Sequence, residues 1–325
     1  MKAAIYETYG APEVVHLGEM PKPVPKDNEV LVRIRATTVS SGDWRARSLD
    51  LPPGFGFLGR LVFGITRPRQ PVLGTELAGV VEAVGSKVTG FQPGDAVFGF
   101  AGAAMGCHAE YRCLPADGRI ALKPVQLSFE QAAALSFGGM TALDVFRRGN
   151  LKAGERVLVN GASGAVGSAA VQIAKHFGAH VTGVCSGENM DRVRALGADD
   201  VIDYREEDFA AARDAYDVIV DCAGTSPFAR VRHTLKEHGR LLVVLGGIDG
   251  LFSGGATRGK TRRIVSGPTS ATVEDFRVLS KLAEQGAFTP MIDAVFPFER
   301  IVEAHRRVDT GRKRGSVVVS LPVAA

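Results

Sequence analysis

The sequence predicts an α/β protein in which a doubly wound parallel sheet is joined to a second, β-rich domain. From about residue 124 onwards, apolar strand-like runs alternate with helix-like segments, which is typical of strands that form one parallel sheet. Before that point the chain is rich in Gly, Pro and Val, with short strand-like runs between tight turns. A length of 325 residues is sufficient for two domains that each bury a full core.

In the first part of the chain, "EVLVRIRATTV" (29–39) and "LAGVVEAVGSKV" (77–88) are predicted strands. The segment "QPGDAVFGF" (92–100) carries a Pro-Gly-Asp turn between two strand-like runs. The alternation of strands and helices is lost from about residue 288. We expect the final run, "GSVVVSL" (315–321), to form a strand that rejoins this first domain.

The second part begins with a helix signal, since Ser128 is followed three residues later by Gln131 in a capping-box pattern. Strands are then predicted at 156–161, 180–185, 217–224 and 239–247, with helices at 165–178 and 188–197. We expect the sheet domain to span 124–288, and the β-rich domain to combine 1–123 with 289–325.

The stretch "NGASGAVG" places Gly161, Gly164 and Gly167 between a predicted strand and a predicted helix. In this context the glycines predict a Rossmann-type turn in which backbone N–H groups at a helix N-terminus bind a pyrophosphate. The spacing is GxxGxxG rather than the commoner GxGxxG, and a purely structural turn is the alternative. We expect a positive φ at Gly164, and cofactor contacts from Ala162, Ser163, Gly164, Ala165 and Val166.

The end of the second predicted strand, "GVCSGEN", indicates which dinucleotide binds. Sites specific for NAD usually place Asp or Glu there, whereas this chain has Cys185 and Ser186. Glu188 lies beyond the turn, in the first turn of the next predicted helix, and Arg192 could supply positive charge. The absence of an acid at the strand end favours NADPH.

Composition and charge indicate neither a nucleic-acid partner nor a membrane span. The net charge is +4, and the clusters at 261–263 and 312–314 are interpreted as solvated faces or phosphate contacts. The N-terminal segment has no apolar signal core, and no run reaches the roughly 18 apolar residues of a transmembrane helix. We expect a cytoplasmic protein.

The four cysteines do not suggest disulfides or a metal site. Cys107, Cys113, Cys185 and Cys222 form no CxxC pair, and the spacing of Cys107, His108 and Cys113 matches no common zinc pattern. Cys185 and Cys222 lie in apolar strand patterns and are expected to be core thiols.

Several ordered blocks together resemble the medium-chain dehydrogenase/reductase superfamily, and more narrowly its zinc-free quinone oxidoreductase (zeta-crystallin-like) branch. They are "MKAAIYETYGAPEVVHL", "GDW", "VLGTELAGVVEAVGSKV", "FQPGDAVFG", "NGASGAVGSAAVQIAK", "LGADDVIDYREEDF" and "YDVIVDCAG". The resemblance implies a GroES-like catalytic domain, and hydride transfer from NADPH to a quinone or to an activated alkene such as an enal or enone. An enoyl-thioester reductase and a non-catalytic, crystallin-like NADPH-binding protein are the alternatives. We also expect a homodimer that acts on a small electrophilic molecule.

At the positions that hold catalytic zinc in the superfamily's alcohol dehydrogenases, this chain has Ser40, Thr75 and Phe137. Zinc prefers thiolate, imidazole or carboxylate ligands, so the resemblance implies a metal-free enzyme. Without that Lewis acid, oxidation of a simple alcohol loses the group that lowers its hydroxyl pKa. Reduction of an acceptor that is already electrophilic remains accessible.

The resemblance also implies which side chains line the site. Ser40, Asp43 and Trp44 fall at positions beside the nicotinamide and substrate, with Trp44 where many relatives have Tyr. Glu76 is expected only to orient backbone beside the former metal position. The resemblance implies cofactor contacts at Thr141, Asn189 (a Lys in many relatives), Tyr204, Leu245, Gly246 and Gly247, in addition to Ser186 and Arg192 at the strand end.

Residues 50–70 look like a family-variable apolar insertion. Gly54, Gly56 and Gly59 argue against a rigid helix at its start. A substrate lid or a buried loop is favoured, with an oligomer contact or a membrane-surface patch as alternatives.

Overall fold

The structure is a computed structural model that describes residues 1–51, 56–244, 261–267 and 271–322, without the side chains of Phe57 and Leu58. Its strands in chain order are β1 (Lys2–Ile5), β2 (His16–Glu19), β3 (Glu29–Val39), β4 (Glu76–Val84), β5 (Ala96–Phe100), β6 (Tyr111–Pro115), β7 (Ile120–Leu122), β8 (Arg156–Asn160), β9 (His180–Cys185), β10 (Asp200–Asp203), β11 (Tyr216–Asp221), β12 (Leu235–Val243), β13 (Arg263–Val265), β14 (Ile292–Pro297) and β15 (Ser316–Ser320). The helices in these ranges are α1 (Ser41–Ser48), α2 (Gly56–Phe63), α3 (Phe129–Ala133), α4 (Ser136–Gly149), α5 (Ala165–His176), α6 (Met190–Ala195), α7 (Phe228–Val231), α8 (Val273–Glu284) and α9 (Ile301–Asp309).

The second part of the chain forms a six-stranded parallel sheet in the order β10-β9-β8-β11-β12-β13. The strand order reverses between β8 and β11. In doubly wound sheets of this kind, ligands bind outside the carboxyl ends of the strands at such a reversal. The predicted Rossmann domain is therefore confirmed, and its topology locates the crevice beside the glycine-rich turn.

The first part forms a second, seven-stranded sheet whose central strand β3 has the predicted bounds. The late strand β15 pairs antiparallel with β3, and Val317 lies opposite Val39. This pairing confirms that the chain returns to its first domain. The expected domain limits at 123/124 and 288/289 fall outside the strands of both sheets and remain a prediction.

A buried apolar cluster contains residues of both sheets and joins them. Phe98 of β5 stacks on Phe276 of α8 with ring centroids 4.9 Å apart. Ala78 of β4 and Val318 of β15 belong to the same buried cluster as the helices α4, α5 and α8. These close-packed contacts hold the two sheets against each other.

The signal for α3 is confirmed in detail. The Ser128 side chain accepts a hydrogen bond from the N–H of Gln131, and the Gln131 side chain accepts one from the N–H of Ser128. This capping box satisfies two helix-terminal donors and sets where α3 begins.

The expectation against a helix at the start of the 50–70 insertion was wrong, because α2 begins at Gly56 and contains Gly59. The helix packs on Leu51 at Gly59, where a Cβ would lie 1.9 Å from Cδ1 of that side chain. Leu61 and Val62 are exposed, so this part of the insertion is not a buried loop. Gly54 lies outside the described residues.

In the described ranges, no helix combines the length and the apolar character needed to cross a membrane.

Candidate active site

The turn between β8 and α5 is held close to the sheet by backbone contacts. Gly161 has φ +80°, the conformation that glycine adopts most readily. The N–H groups of Gly161 and Ala162 both donate to the carbonyl of Val184, at 3.1 and 2.9 Å. A Cβ at Gly167 would lie 2.1 Å from the Gly161 carbonyl oxygen, so only glycine allows this close approach of helix and strand. The predicted roles of Gly161 and Gly167 are confirmed.

Gly164 is the N-cap of α5 and faces open space. Its φ is −82°, so the expectation of a positive φ here was wrong; Gly161 takes that conformation because it makes the turn. A Cβ at Gly164 would meet only the Gly161 carbonyl oxygen, at an ordinary 3.4 Å. The first-turn N–H groups of Ala165 and Val166 have no intrahelical acceptor, and the helix dipole favours an anion beside them. The Ala162 side chain is fully buried, and its N–H is bonded to Val184, so its predicted cofactor contact remains a prediction.

A cleft of about 900 Å³ opens at the carboxyl ends of β8 and β9. This volume is within the usual range for small-molecule and cofactor sites. Gly161, Ser163, Ser186, Asn189 and Tyr204 line it from the Rossmann side. The open space beside Gly164 and the free N–H groups at the start of α5 fit the pyrophosphate of a dinucleotide.

Basic side chains dominate the charge of this cleft. The loop between α9 and β15 supplies Arg312, Lys313 and Arg314, and the end of α9 supplies Arg307. The Rossmann domain supplies Arg205 and Arg230. Burial lowers the pKa of Lys313 to about 8, and the nearby Glu76 carboxylate opposes this shift. The sequence signal was the "RKR" run at 312–314, for which a solvated face and a phosphate contact were both open. The cleft can attract a polyanion such as a dinucleotide phosphate.

At the end of β9, Ser186 and Asn189 are buried and bonded to each other. The Asn189 amide donates to the Ser186 hydroxyl oxygen at 2.8 Å, which uses one of its two N–H groups. Tyr204 lies at the cleft with 54% of its surface exposed. Arg192 is exposed on α6 and does not line the cleft. Positive charge at this end of the cleft comes instead from Arg205 and the loop before β15.

The expectation that Glu188 lies in the first turn of the next helix was wrong. It lies in a short 3-10 turn that precedes α6. Its carboxylate pairs with the guanidinium of Arg314 and lies 3.8 Å from that of Arg205. These contacts show that Glu188 is more than a partner for the helix dipole.

In the first domain, called the catalytic domain below after its expected role, Ser40 and Asp43 are buried and form the capping box of α1. The Asp43 carboxylate accepts from the Ser40 N–H at 2.7 Å and from the Ser40 hydroxyl at 2.6 Å. Its other oxygen accepts from the Gly74 N–H at 2.7 Å. These bonds tie α1 to the segment before β4. Trp44, the next residue, is half-buried against the core of the catalytic domain.

Glu76 joins the catalytic sheet to the Rossmann domain. Its buried carboxylate accepts hydrogen bonds from the Thr38 hydroxyl and from the N–H of Phe137 in α4. Burial raises the pKa of Glu76 to about 7, although both hydrogen bonds act in the opposite direction. The Thr141 hydroxyl, one turn along α4, donates to the Phe137 carbonyl at 2.6 Å. Glu76 therefore positions backbone at the junction, as its place in the sequence had suggested.

The donors at the three superfamily metal positions do not form a zinc ligand set. The Ser40 hydroxyl is bonded to Asp43, Thr75 contributes a buried hydroxyl, and Phe137 has no donor atom. In the part of the chain that the structure describes, no group of three or more His, Cys, Asp or Glu side chains could hold a metal ion. Zinc independence nevertheless remains a prediction, as does the role of Leu245, Gly246 and Gly247, which lie outside the described residues.

Comparisons with known proteins agree with this architecture. Residues 26–124 match the model of the alcohol dehydrogenase GroES-like domain, and residues 196–319 match that of zinc-binding dehydrogenases. A 2-methylene-furan-3-one reductase of Solanum lycopersicum is 32% identical over 98% of this chain and 79% of its own length. A quinone oxidoreductase of Homo sapiens is 32% identical over 96% of this chain and 94% of its own length. The solved structure of the quinone oxidoreductase from Coxiella burnetii superposes with a TM-score of 0.84, at 30% identity over 99% of both chains.

The open space at Gly164 gives a direct test of the cradle. Replacing Gly164 by Val should weaken NADPH binding by about 100-fold or more, which is about 2.7 kcal/mol, because the side chain fills the space left for the pyrophosphate. The extended backbone at this position suits Val, so the free energy of unfolding should fall by about 1 kcal/mol at most. Fluorescence titration and urea denaturation measure the two quantities.

Two glycines serve as controls for that substitution. Gly90→Val also adds a side chain in open space and should leave both quantities unchanged, whereas Gly167→Ala should destabilise the fold. A folded Gly164→Val protein with wild-type affinity for NADPH would show that the turn has only a structural role.

The raised pKa of Glu76 predicts a pH-dependent contribution to stability. Its pKa is about 7 in the folded protein against an ordinary 4.5, so this carboxyl stabilises the fold at low pH. That stability is lost as the pH rises through about 7. Gln at this position does not titrate and keeps an acceptor for the Phe137 N–H. From about pH 4.5 to about pH 8, the unfolding free energy of Glu76→Gln should therefore rise relative to wild type by up to about 3 kcal/mol.

Urea denaturation at both pH values measures this difference. The exposed Glu274, replaced by Gln, provides the matched control and should show little change. A constant difference between Glu76→Gln and wild type across this range would contradict the assignment.

Proposed function

The chain belongs to the medium-chain dehydrogenase/reductase superfamily, in its quinone oxidoreductase branch, and on this premise we propose that it is an NADPH-dependent reductase of quinones and activated alkenes that works without zinc. The observation that carries the proposal is the basic cleft at the N-terminus of α5. Gly164 leaves room there for a pyrophosphate, and side chains from both domains line it.

When bound, NADPH supplies a hydride from its nicotinamide ring, and the protein supplies position, charge and exclusion of water. The N–H groups of Ala165 and Val166 bind and orient the pyrophosphate. The basic residues of the loop before β15 neutralise phosphate charge from the opposite wall. The β-carbon of an enal or enone accepts the hydride, and its α-carbon then takes a proton from water. A quinone accepts a hydride and a proton to give the hydroquinone.

The choice of acceptor follows from the chemistry of the former metal positions. Ser40, Thr75 and Phe137 offer neither thiolate, imidazole nor carboxylate to a zinc ion. An acceptor that is already electrophilic needs no Lewis acid to polarise it. This supports reduction of quinones and conjugated carbonyl compounds rather than oxidation of simple alcohols.

We assign the site residues as follows. Ser40 and Asp43 are positioning residues, since their mutual hydrogen bonds fix α1, and Trp44 on that helix forms a wall of the substrate space. Thr141 lies near the nicotinamide, with Leu245, Gly246 and Gly247 along its ribose. Ser186, Asn189 and Tyr204 adjoin the adenosine, and the exposed position of Arg192 favours Arg205 as the source of charge there.

We further propose a cytoplasmic homodimer that acts on a small-molecule substrate. Leu61, Val62 and Ile65 expose apolar surface at and just after α2, which supports a protein contact. Sedimentation equilibrium measures the oligomeric state, and a monomer at all concentrations would contradict the dimer.

The proposed activity is tested by following NADPH oxidation with metal-free protein. Zinc analysis of the purified protein should find well below one equivalent, and chelation should leave activity unchanged. A quinone, an enal and an enone should each be reduced. Activity confined to enoyl thioesters would select an enoyl-thioester reductase. Tight NADPH binding without turnover of any acceptor would indicate a non-catalytic protein. A stoichiometric zinc whose removal by chelation abolishes activity would contradict zinc independence.

The preference for NADPH is tested at Ser186, which lies at the end of β9 without a negative charge. Wild-type protein should bind NADPH more tightly than NADH. Ser186→Asp should weaken NADPH by about 10- to 100-fold more than NADH, because a carboxylate there repels the 2′-phosphate. Ser186→Ala provides a neutral control. Equal affinities of the wild-type protein for the two nucleotides would remove the basis for this preference.

A further inference from the structure

An ion pair between Glu188 and Arg314 crosses the cofactor cleft. Glu188 follows β9 in the Rossmann domain, whereas Arg314 lies just before β15 in the catalytic sheet. Arg205 approaches the same carboxylate from the Rossmann side, with its guanidinium nitrogen 3.8 Å from the nearer oxygen. One carboxylate is therefore shared by two guanidinium groups that belong to different domains.

This group of three charges lies where the adenosine ribose of a dinucleotide is expected. In a doubly wound sheet the ribose 2′ position lies at the end of the second strand, and β9 is that strand. The Ser186 hydroxyl at the strand end is 3.4 Å from the Glu188 carboxylate. The carboxylate thus occupies the region into which a 2′ substituent would project.

We propose that Arg314 and Arg205 bind the 2′-phosphate of NADPH by exchanging it for Glu188, so that the bound nucleotide bridges the two domains. The proposal rests on the cofactor assigned above, and it makes Arg314 the residue through which the catalytic domain recognises the phosphate. Glu188 is the internal competitor that the phosphate displaces.

The exchange is favoured by charge and by exposure. The side chains of Arg314 and Glu188 are 37% and 50% exposed, and ion pairs of this kind are weak. A phosphate monoester carries about −1.5 to −2 charges and three strong acceptor oxygens, so it competes well for two guanidinium groups. A guanidinium also suits a phosphate better than an ammonium does, because its donors form a planar fork. Once displaced, Glu188 is a like charge beside the ligand, and it reduces the affinity.

Neighbouring cations are less suited to this exchange. Arg230 pairs at 2.8 Å with Asp208, an exposed acid of its own domain, so exchange there would not bridge the domains; Arg307 pairs at 2.6 Å with the nearly buried carboxylate of Asp293. Arg312 lines the cleft but has no ion-pair partner in the described ranges, so it adds general attraction for any phosphate. Arg314 alone of these four pairs with an exposed acid across the cleft.

The experiment uses two fragments that isolate the 2′-phosphate. Adenosine 2′,5′-bisphosphate and 5′-AMP are titrated into the full-length protein by calorimetry, with NADPH as reference. Arg314→Gln should weaken the bisphosphate by about 10-fold or more and 5′-AMP by less than about 2-fold. Glu188→Gln should tighten the bisphosphate by about 3-fold or more and leave 5′-AMP nearly unchanged.

Matched controls come from the exposed pair Arg277 and Glu274 on α8. Arg277→Gln and Glu274→Gln make the same charge changes outside the cleft and should leave both affinities unchanged. Melting curves establish that each variant is folded.

The outcomes separate this inference from the proposed function. Wild-type protein that binds neither NADPH nor the bisphosphate would contradict the cofactor assignment. If wild type binds both but folded Arg314→Gln keeps its selectivity for the bisphosphate, the inference is overturned and the assignment stands. Loss of that selectivity in Arg312→Gln instead of Arg314→Gln would also overturn it, as would equal weakening of 5′-AMP.

Discussion

The close approach of α5 to the turn after β8 is the constraint on which the site depends. Gly167 lets the helix pack directly against the Gly161 carbonyl. The N–H groups of Gly161 and Ala162 also bond this turn to the Val184 carbonyl of β9. The helix N-terminus is thereby held at the carboxyl edge of the sheet with its first N–H groups free. Gly164 does not contribute to this packing, and its missing side chain leaves the space that the proposed pyrophosphate would occupy.

The second wall of the cleft depends on long-range contacts between the sheets. Pairing of β15 with β3 returns the end of the chain to the catalytic domain, and it brings Lys313 and Arg314 opposite the end of β9. The two domains are held together by the stacked rings of Phe98 and Phe276 and by the hydrogen bond from the Phe137 N–H to Glu76. The proposed site thus combines a helix N-terminus from one domain with basic side chains from the other.

Much of the fold was predictable from local sequence, because its signals act over a few residues. The capping box at Ser128, the strand at 29–39 and the turn at Gly161 all belong to this class. The helix at Gly56 was missed because low glycine propensity argued against it, whereas Gly59 packs closely on Leu51 in the folded chain. The hydrogen bonds of Ser40 with Asp43 were also missed, although their three-residue spacing is itself a capping signal. The basic wall depends on tertiary pairing of distant strands, so the run at 312–314 could not be placed from sequence.

The central claim is that this cleft holds NADPH for direct hydride transfer to an electrophilic acceptor without a metal. Isotope tracing tests it most directly. Chelator-treated protein is supplied with NADPH deuterated at the transferable C4 position and with an enone, and the product is examined by NMR. The account predicts deuterium at the β-carbon and a solvent-derived proton at the α-carbon. Unlabelled product, or reduction that occurs only after zinc is restored, would contradict it.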